Sequence, residues 1–353
     1  MNQPVKLPKL AVLELTYRCN QSCVFCSCPW ENTTDARLFY EKKPELTIAE
    51  WKDALKVLEK HGAETVSISG GEALLKNGLD ELLRYIRAES NLNKDKKIVV
   101  ITNGASMNEG FLSLFKEMNV HLSVSLPGLT TFGYHIGAHG NTAANALHWL
   151  NRAGQESLST TVNITVTKKN YHELYETIAN GLIAGADTIL INRFLFGGRG
   201  AAHNEELSLS QEELCGVLET AEDTLSKAKR KGSVGTEYPL CVVKKTGREF
   251  KRLRVGNRCA AAKEFFVVDP SGYIRTCNHS PVRVGYVFEE RIISDIDYWK
   301  TFADSSYKLP AMCENCKYTD GCDYGCREAA AIFGGSLSAP DPCFLQSGSN
   351  LQI

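Results

Sequence analysis

Three cysteines lie close together near the start of the chain, in the pattern Cys19-x3-Cys23-x2-Cys26. They follow an apolar segment at 10–16 that predicts a β-strand, and in parallel α/β folds the loop after a strand lies on the ligand-binding face. Three thiolates can hold three irons of a 4Fe–4S cluster and leave the fourth iron open, whereas a structural site closes all its positions, as described for zinc. Incidental thiols, or a zinc site with one further ligand such as Cys28, are the alternatives.

The chain has thirteen cysteines among 353 residues. An odd number, spread over a long chain without a visible export signal, fits poorly with a disulfide framework. No segment of the sequence approaches the ~20 apolar residues of a membrane-spanning helix. Forty Lys and Arg against 41 Asp and Glu give a net charge of −1, so no overall field attracts nucleic acid or membrane. These features predict a cytoplasmic globular protein whose clustered thiols bind metal or take part in redox chemistry.

Alternating strand and helix patterns fill the first two thirds of the chain and would position these cysteines. Apolar and β-branched runs predict strands at 10–16, 65–69, 97–102, 121–126, 160–166 and 188–194. Helical patterns occur at 49–60, 80–88, 108–117, 142–152, 171–184 and 211–229. Six successive βα units predict a parallel sheet, either open and doubly wound or closed into a barrel.

Capping and turn residues mark where some of these elements begin and end. Thr47 and Glu50 predict a capping box at the start of the first helix. The alternation stops at a segment rich in Lys, Gly and Ser, 227–235. A domain boundary is therefore predicted near residue 232, followed by short strands and Cys-rich loops.

Polar residues follow several of the predicted strands. Gly70 and Gly71, after the second strand, allow the backbone to approach a ligand closely, and Glu72 offers an anionic acceptor for an ammonium group. Four further polar residues belong to strands three to six: Asn103 follows the third strand, and Ser125, Asn163 and Arg193 lie on the fourth, fifth and sixth. Each of these alone is equally well explained as a turn residue or as a satisfied polar group inside the sheet.

A second set of cysteines occupies the C-terminal third. Its spacing is Cys259-x12-Gly272-x4-Cys277, then Cys313-x2-Cys316-x5-Cys322-x3-Cys326, and finally Cys343. Four of these cysteines within a short segment also suit a zinc knuckle.

Together, the two cysteine sets and the Gly-Gly-Glu segment resemble radical S-adenosylmethionine (SAM) enzymes with a C-terminal SPASM extension. The resemblance covers nearly the whole chain. It implies an α/β fold with a partial (β/α)6 TIM-like barrel over residues 1–232. It also implies a SPASM domain with two auxiliary Fe–S clusters over residues 233–353.

The resemblance implies three 4Fe–4S clusters together with SAM. The cluster that binds SAM is held by Cys19, Cys23 and Cys26. Auxiliary cluster I is held by Cys259, Cys277 and Cys326. Auxiliary cluster II is held by Cys313, Cys316, Cys322 and Cys343. Cys241 is the only thiol near the place from which some members supply a fourth ligand to cluster I, although its distance along the chain from Cys259 is longer than in sulfatase-maturating members. Cys28 and Cys215 remain outside these ligand sets.

The resemblance also implies which residues contact SAM. In the family, the Gly-Gly-Glu segment receives the methionine amino group, and Gly70, Gly71 and Glu72 match it. Asn103, Ser125 and Asn163 lie where the family places contacts to the ribose and methionine, and Arg193 is predicted to face the same site.

The family's chemistry is reductive cleavage of SAM, which yields a 5′-deoxyadenosyl radical that removes a hydrogen atom from an unactivated C–H bond. An external reductant of the flavodoxin or ferredoxin type would supply the electron. Most SPASM enzymes modify peptides or proteins, so the predicted function is oxidative crosslinking in the maturation of a ribosomally made peptide. Because the barrel begins near residue 10, the expectation is that the peptide binds the core directly or is delivered by a separate recognition protein.

Several other functions stay open. A peptide epimerase would need a hydrogen donor, for which Cys28 and Cys215 are candidates. Sulfatase maturation is disfavoured because Asn278 and His279 follow Cys277 where those enzymes have Asp. A small-molecule dehydrogenase of the aminoglycoside or tetrapyrrole type is a further enzyme. An Fe–S electron carrier or a zinc-stapled scaffold would explain the cysteines but not the Gly-Gly-Glu segment or the six βα units.

Overall fold

The computed structural model describes residues 5–31, 39–137 and 141–345. Its strands form one sheet with the spatial order β11-β10-β9-β1-β2-β3-β4-β5-β6-β7-β8. The strands are β1 Leu10–Glu14, β2 Thr65–Ser69, β3 Ile98–Thr102, β4 Val120–Ser125, β5 Ser159–Val166, β6 Thr188–Arg193, β7 Lys231–Val234, β8 Leu253–Arg254, β9 Phe265–Val268, β10 Tyr273–Arg275 and β11 Gly285–Tyr286.

Eight strands run parallel in chain order, since each strand from β1 to β7 pairs in parallel with the next. The first six lie within one or two residues of the predicted segments, and the α/β fold class is confirmed. Their alternating buried positions, such as Ile189 and Ile191 in β6, carry the apolar core of the sheet. The carboxyl ends of all eight strands lie on the same side of the sheet. In parallel α/β folds, ligands bind on that side.

The sheet continues across residue 232, where a domain boundary was predicted. Gly232 lies inside β7 and pairs with Ile189 of β6. A Cβ atom at this position would lie 2.8 Å from Leu225 Cδ1 and 3.0 Å from the Ile189 carbonyl oxygen, so the glycine permits close packing under the last long helix. The Lys, Gly and Ser residues that resemble a linker in the sequence thus include the short parallel strand β7.

The C-terminal part joins the sheet at its other edge. β9 pairs in parallel with β1, with Leu10 opposite Phe265. β10 and β11 then add two antiparallel strands beyond β9. Strand β1 is therefore paired on both sides, and the loop that follows it lies between the barrel strands and the C-terminal part.

Helices cover the sheet between the strands. The capping box at the start of the first helix is confirmed, with Thr47 and Glu50 bonded reciprocally. The helices are α1 Ile48–Lys60, α2 Leu79–Ala88, α3 Glu109–Glu117, α4 Phe132–Ile136, α5 Ala143–Gln155, α6 Leu174–Ile183, α7 Asn204–Leu207, α8 Gln211–Ala228, α9 Leu240–Lys245, α10 Ile296–Ala303 and α11 Arg327–Gly334. Within the described ranges, none of them is long and apolar enough to cross a membrane.

Candidate active site

The loop after β1 carries Cys19, Cys23 and Cys26, which we call the first cysteine group. Burial raises the pKa of Cys19 to about 11 and that of Cys23 well above its ordinary value, and the charges of neighbouring thiolates add to both effects. A hydrogen bond with the Cys28 thiol lowers the pKa of Cys26. Three thiols that repel one another as anions are a donor set suited to a metal, because a bound cation replaces their protons.

Main-chain hydrogen bonds from α4 hold the first half of this loop. The N–H of Ser22 donates to the Ile136 carbonyl at 2.9 Å, and the N–H of Val24 donates to the His135 carbonyl at 3.0 Å. His135 itself is buried and bonds Thr167 through its ring at 2.8 Å. The position of Cys23 thus depends on a short helix from the far side of the barrel.

The segment after β6 holds the second half of the loop. The N–H of Gly200 donates to the Cys26 carbonyl at 3.0 Å, and the Arg199 guanidinium donates to the Cys23 carbonyl at 3.3 Å. A Cβ atom at Gly198 would lie 2.5 Å from the carbonyl oxygens of Cys26 and Cys28. The glycine-rich sequence after β6 therefore allows direct backbone contact with the cysteine loop.

Gly70 and Gly71 bring the turn after β2 against the same loop. Gly70 has φ +144°, and a Cβ atom there would lie 2.9 Å from the Thr16 carbonyl oxygen; one at Gly71 would overlap the Arg18 carbonyl. The N–H groups of Gly71 and Glu72 donate to the carbonyls of Thr16 and Arg18, each at 2.8 Å. Both glycines are thus needed for the contact between the two loops, whatever else they bind.

The Glu72 carboxylate is buried, with 1% of the residue exposed. It accepts hydrogen bonds from Thr102 Oγ1 at 2.7 Å, from the Asn103 N–H at 2.8 Å and from the Leu74 N–H at 3.1 Å. Burial raises its pKa, and these hydrogen bonds oppose the rise. About one of its four acceptor positions remains. Glu72 therefore joins the loops after β2 and β3, in addition to the SAM contact predicted for it.

The predicted polar residues on β3 to β5 lie along the same end of the sheet. The Asn103 amide donates to Asn20 Oδ1 in the cysteine loop at 2.8 Å. Ser125, the last residue of β4, is the register partner of Asn163 within β5. Asn163 accepts a hydrogen bond from the Asn192 amide at 2.7 Å and lines the central cavity.

Arg193, at the end of β6, is buried and engaged elsewhere. Its guanidinium forms two hydrogen bonds with the Asp341 carboxylate, at 3.1 and 2.5 Å, and its Nε donates to the Glu237 main-chain carbonyl at 2.9 Å. Arg193 also lines the central cavity that Asn163 lines, so its predicted contact with SAM stays a prediction, with three of its five N–H donors bonded to Asp341 and Glu237. The sequence could not show the partner, which lies far along the chain.

A cavity of about 410 Å³ lies inside the barrel. One end is lined by Cys26 and Cys28, together with Phe25 from the same loop. Gly70 and Asn163 line its barrel wall. Its other end is lined by three cysteines of the C-terminal part: Cys259, Cys277 and Cys326. This cavity connects two groups of thiols that are remote in sequence, and it has room for a small molecule or a side chain.

We call Cys259, Cys277 and Cys326 the second cysteine group. Burial raises the pKa of all three thiols, that of Cys277 to about 12. The charge of Glu237 acts in the same direction on each of them. Cys326 thus lies with the earlier Cys277 rather than with its neighbour Cys322; that these three thiols hold auxiliary cluster I, as the resemblance implies, stays a prediction.

A third cysteine group lies beside α9. Burial raises the pKa of Cys241 to about 12, and the nearby thiolates of Cys316, Cys322 and Cys313 raise it further. The N–H groups of Leu240 and Tyr324 donate to Cys322 Sγ at 3.3 and 3.2 Å, as is common for cluster ligands. The group comprises Cys241, Cys313, Cys316, Cys322 and Cys343. Cys241 therefore lies with the proposed ligands of cluster II, not with those of cluster I.

Among the described residues, no three His, Cys, Asp or Glu side chains lie close enough together to bind a single metal ion. The ligands of an Fe–S cluster each approach a different iron, so they stand farther apart than the ligands of one ion. All three cysteine groups offer soft thiolate donors, the type that Fe–S clusters require.

Three polar features near the cavity were missed from the sequence. The Glu14 carboxylate on β1 pairs with the buried Arg275 guanidinium and accepts a hydrogen bond from Asn278 Nδ2 at 3.0 Å. Both ring nitrogens of His279 are buried without a hydrogen-bond partner among the described residues, and burial lowers its pKa to about 4. Glu237 lines the cavity beside the second cysteine group. No spacing signal marks these residues, because their neighbours come from remote segments.

Comparison with known proteins identifies the fold. Residues 13–180 match the family described as the radical SAM superfamily. These residues form a radical SAM domain. The chain is 26% identical over 357 residues to the PqqA peptide cyclase of Xanthomonas campestris pv. campestris strain B100, covering 98% of this chain and 89% of that protein.

Two further similarities extend over almost all of this chain. The PqqA peptide cyclase of Rhodopseudomonas palustris is 25% identical over 349 residues, which cover 95% of this chain and 86% of that protein. The crystal structure of Streptococcus suis SuiB bound to its precursor peptide SuiA superposes with a TM-score of 0.70 at 16% identity, covering 96% of this chain and 76% of that chain. Each of these matches thus extends over both the parallel strands β1 to β8 and the C-terminal part of this chain.

Proposed function

We propose that this radical SAM protein is an enzyme that modifies a peptide, by oxidative crosslinking during maturation of a ribosomally made precursor. The observation that carries the proposal is the cavity lined by cysteines of the first and second groups, which would hold a substrate between the two proposed clusters. Relatives named PqqA peptide cyclase, matched over nearly the full chain, support a peptide as the substrate.

The first cysteine group fits a 4Fe–4S cluster that binds SAM, because three thiols leave one iron for a ligand. The chemistry that the cluster and SAM supply when bound is reductive cleavage of SAM to a radical that removes hydrogen from a C–H bond. The chain itself fixes the three thiols from two sides, through α4 and through Gly200. Gly70, Gly71 and Glu72 then present backbone and one free carboxylate position beside them for the methionine part of SAM.

The walls of the cavity have two tasks in this enzyme. Phe25 and Leu195 supply apolar surface that excludes water and competing hydrogen donors from the reacting carbon. Asn163, bonded to Asn192, and the neighbouring Ser125 offer amide and hydroxyl groups to the ribose. Asn103 contributes by fixing Asn20 in the cysteine loop. These residues orient the reactants, whereas the cofactors carry the electron chemistry.

The second and third cysteine groups are proposed to hold two auxiliary 4Fe–4S clusters, within a SPASM region assigned to residues 233–353. A crosslink is a net oxidation, so a second electron must leave the product. The second cysteine group lines the cavity and is placed to accept it. A flavodoxin- or ferredoxin-type reductant and, as one option, a separate peptide-recognition protein complete the proposed set of partners.

A peptide epimerase is the second candidate, and Cys28 is the observation that favours it. The Cys28 thiol lines the cavity and bonds Cys26, whereas Cys215 is buried on α8 and donates to the Val242 carbonyl at 3.4 Å. Cys28 is thus the better placed hydrogen donor of the two. Crosslinking remains the primary proposal because epimerisation is redox-neutral and leaves the auxiliary clusters without an electron to accept.

The cofactor assignment is tested with the anaerobically reconstituted protein. We expect about twelve irons, four in each of three clusters. The triple variant Cys19→Ala/Cys23→Ala/Cys26→Ala should lose about a third of this iron and form no 5′-deoxyadenosine under dithionite. Cys215→Ala is the matched control and should retain both. Zinc in place of iron, or continued SAM cleavage by the triple variant, would contradict the assignment.

The reaction is tested by mass spectrometry on a precursor peptide encoded beside the gene. Loss of two hydrogen atoms from the peptide supports a crosslink or another dehydrogenation. Unchanged mass, with deuterium uptake at an α-carbon in heavy water, would replace crosslinking by epimerisation; Cys28→Ala should then abolish the uptake while SAM cleavage continues.

A further inference from the structure

His279 lies in the cavity wall, two residues after Cys277 of the second cysteine group. Its imidazole ring packs against Gly197 in the segment after β6, where a Cβ atom would lie 2.5 Å from ring Cε1 and 3.1 Å from Nε2. A Cβ atom on the next residue, Gly198, would lie 2.5 Å from the Cys26 carbonyl oxygen. The ring is therefore held between the second cysteine group and the segment that supports the first cysteine loop.

The glycine at position 197 is explained by this ring and not by its own backbone. Gly197 has φ 161° and ψ 168°, an extended conformation that any residue adopts. A side chain at this position would overlap the imidazole of His279. Two positions that are remote in sequence are thus matched to place one ring in the cavity wall.

Both ring nitrogens of His279 lack a hydrogen-bond partner among the described residues, and only 6% of the residue is exposed. A buried ring without a carboxylate bonded to it is neutral, so it has one N–H donor and one acceptor nitrogen. The main-chain carbonyl of Phe196 acts to raise the pKa of the ring, but a carbonyl can serve only the N–H. The acceptor nitrogen therefore has no donor within the described part of the chain.

Other polar side chains of the cavity satisfy one another. The Asn192 amide donates to Asn163 at 2.7 Å, and the Asn278 amide donates to Glu14 at 3.0 Å. Several buried side-chain atoms lack a partner among the residues that the structure describes, but only those of His279 belong to a residue that lines the cavity. A buried polar atom without a partner is unfavourable. The group that satisfies this nitrogen must therefore come from a ligand of the cavity that offers an N–H or O–H.

We propose that His279 accepts a hydrogen bond from the peptide substrate, through an N–H or O–H group of the residue that is modified. This inference rests on the proposed function, in which the cavity holds a peptide between two clusters. The position of the ring favours the substrate over SAM, because the residues proposed to bind SAM belong to β3 to β6 and the loops after β2 and β3, whereas His279 follows β10. The hydrogen bond fixes the orientation of the reacting residue and adds to the affinity for the peptide.

The test measures binding of the precursor peptide encoded beside the gene, labelled with fluorescein, to the anaerobically reconstituted full chain by fluorescence anisotropy. His279→Phe keeps a flat ring and removes both nitrogens, and we expect the dissociation constant of the peptide to rise about tenfold. His279→Gln restores an acceptor and should bind the peptide more tightly than His279→Phe. His148→Phe, on the exposed surface of α5, is the matched control and should bind like the wild type.

Gly197→Ala provides a second test that leaves the imidazole in place. The added methyl group displaces the ring, so the affinity for the peptide should fall, whereas Gly216→Ala, with open space around it, should retain that affinity. If His279→Phe does not fold, as judged by its iron content, Gly197→Ala decides in the same way.

Unchanged peptide affinity in His279→Phe would overturn the inference, and so would a Gln variant that binds no more tightly than the Phe variant. A loss of SAM affinity in place of peptide affinity, or a changed electron paramagnetic resonance spectrum of an auxiliary cluster in its place, would assign the nitrogen to a cofactor. Either result contradicts the proposal while leaving the proposed function intact. Failure of the wild-type protein to bind the peptide would overturn the proposed function itself.

Discussion

Asp341 joins three parts of the molecule through one fully buried carboxylate. It accepts two hydrogen bonds from the Arg193 guanidinium at the end of β6, at 3.1 and 2.5 Å. It also accepts from the N–H of Cys326 at 2.7 Å and from the N–H of Cys343 at 2.9 Å. Cys326 belongs to the second cysteine group and Cys343 to the third. One side chain thus fixes a barrel strand and a proposed ligand of each auxiliary cluster.

The substitution Asp341→Asn keeps the shape of the side chain and removes its charge. The Arg193 guanidinium is then buried without its counter-ion, and removing one partner of a buried ion pair costs about 3–5 kcal/mol. The amide N–H₂ of the new side chain cannot accept a hydrogen bond, so at least one donor that Asp341 bonded before loses its acceptor. We expect the free energy of unfolding to fall by about 3–5 kcal/mol, and iron to be lost from both auxiliary clusters.

A double-mutant cycle with Arg193→Met measures how much of this loss comes from the pair itself. Removing both charges should recover at least about 1 kcal/mol relative to the sum of the single losses, within the usual range for groups in direct contact. The assay is anaerobic urea unfolding of the cluster-loaded proteins, followed by tryptophan fluorescence and by cluster absorbance, since agreement of two probes tests two-state behaviour.

The exposed pair of Asp223 and Arg248 supplies the matched control, because it has the same two-hydrogen-bond geometry on the surface. Asp223→Asn should cost less than about 1 kcal/mol. Losses at Arg193 and Asp341 that add to within about 0.5 kcal/mol would refute the coupling, and an Asp341→Asn protein with full auxiliary iron would refute the link to the cysteines.

Two further predictions concern the supports of the cysteine loop. Burial alone would raise the pKa of Glu173, but hydrogen bonds from Thr131, Thr130 and their neighbours hold it at about 2, below its ordinary 4.5. The stabilisation from these bonds is present above pH 4.5 and is lost as the pH falls towards 2. Glu173→Gln should therefore lower the free energy of unfolding by about 2 kcal/mol at neutral pH and flatten the pH dependence of urea unfolding between pH 4.5 and 2; an unchanged slope would contradict this. Gly71→Ala should weaken SAM binding about tenfold in calorimetry, since overpacking costs about 1–3 kcal/mol, whereas Gly133→Ala, with open space around it, should have no effect.

Local patterns in the sequence were sufficient for the barrel strands and the cysteine motifs. A run such as 98–101 is apolar throughout because both faces of the strand are covered, and Cys19, Cys23 and Cys26 are close in space because they are close in the chain. β7 escaped prediction because Gly232 and Ser233 carry no strand signal of their own, and the strand exists through its pairing with β6.

The parts of the site that could not be predicted depend on contacts between remote segments. Arg193 was visible at the end of β6, but its partner Asp341 lies in the last described segment. Glu237 belongs to no sequence motif. It lines the cavity only because its segment folds next to Cys259. Glu14 and Arg275 meet because β1 lies two strands from β10. A sequence motif shows residues that are separated by a short, fixed distance along the chain. The members of these pairs are too far apart in the chain to form such a motif.

The position of β1 has a consequence for how the protein is made. Its residues Leu10 to Leu13 pair with β9, whose residues 265–268 leave the ribosome long after β1 itself. Until then, one edge of the most buried strand is unsatisfied, and an exposed apolar edge is a template for aggregation. A chain that stops at residue 232 would retain this open edge permanently. In such a chain the loop that carries Cys19, Cys23 and Cys26 would also lack the C-terminal part beside it. We therefore expect the strands to reach their final register only when synthesis has passed residue 268.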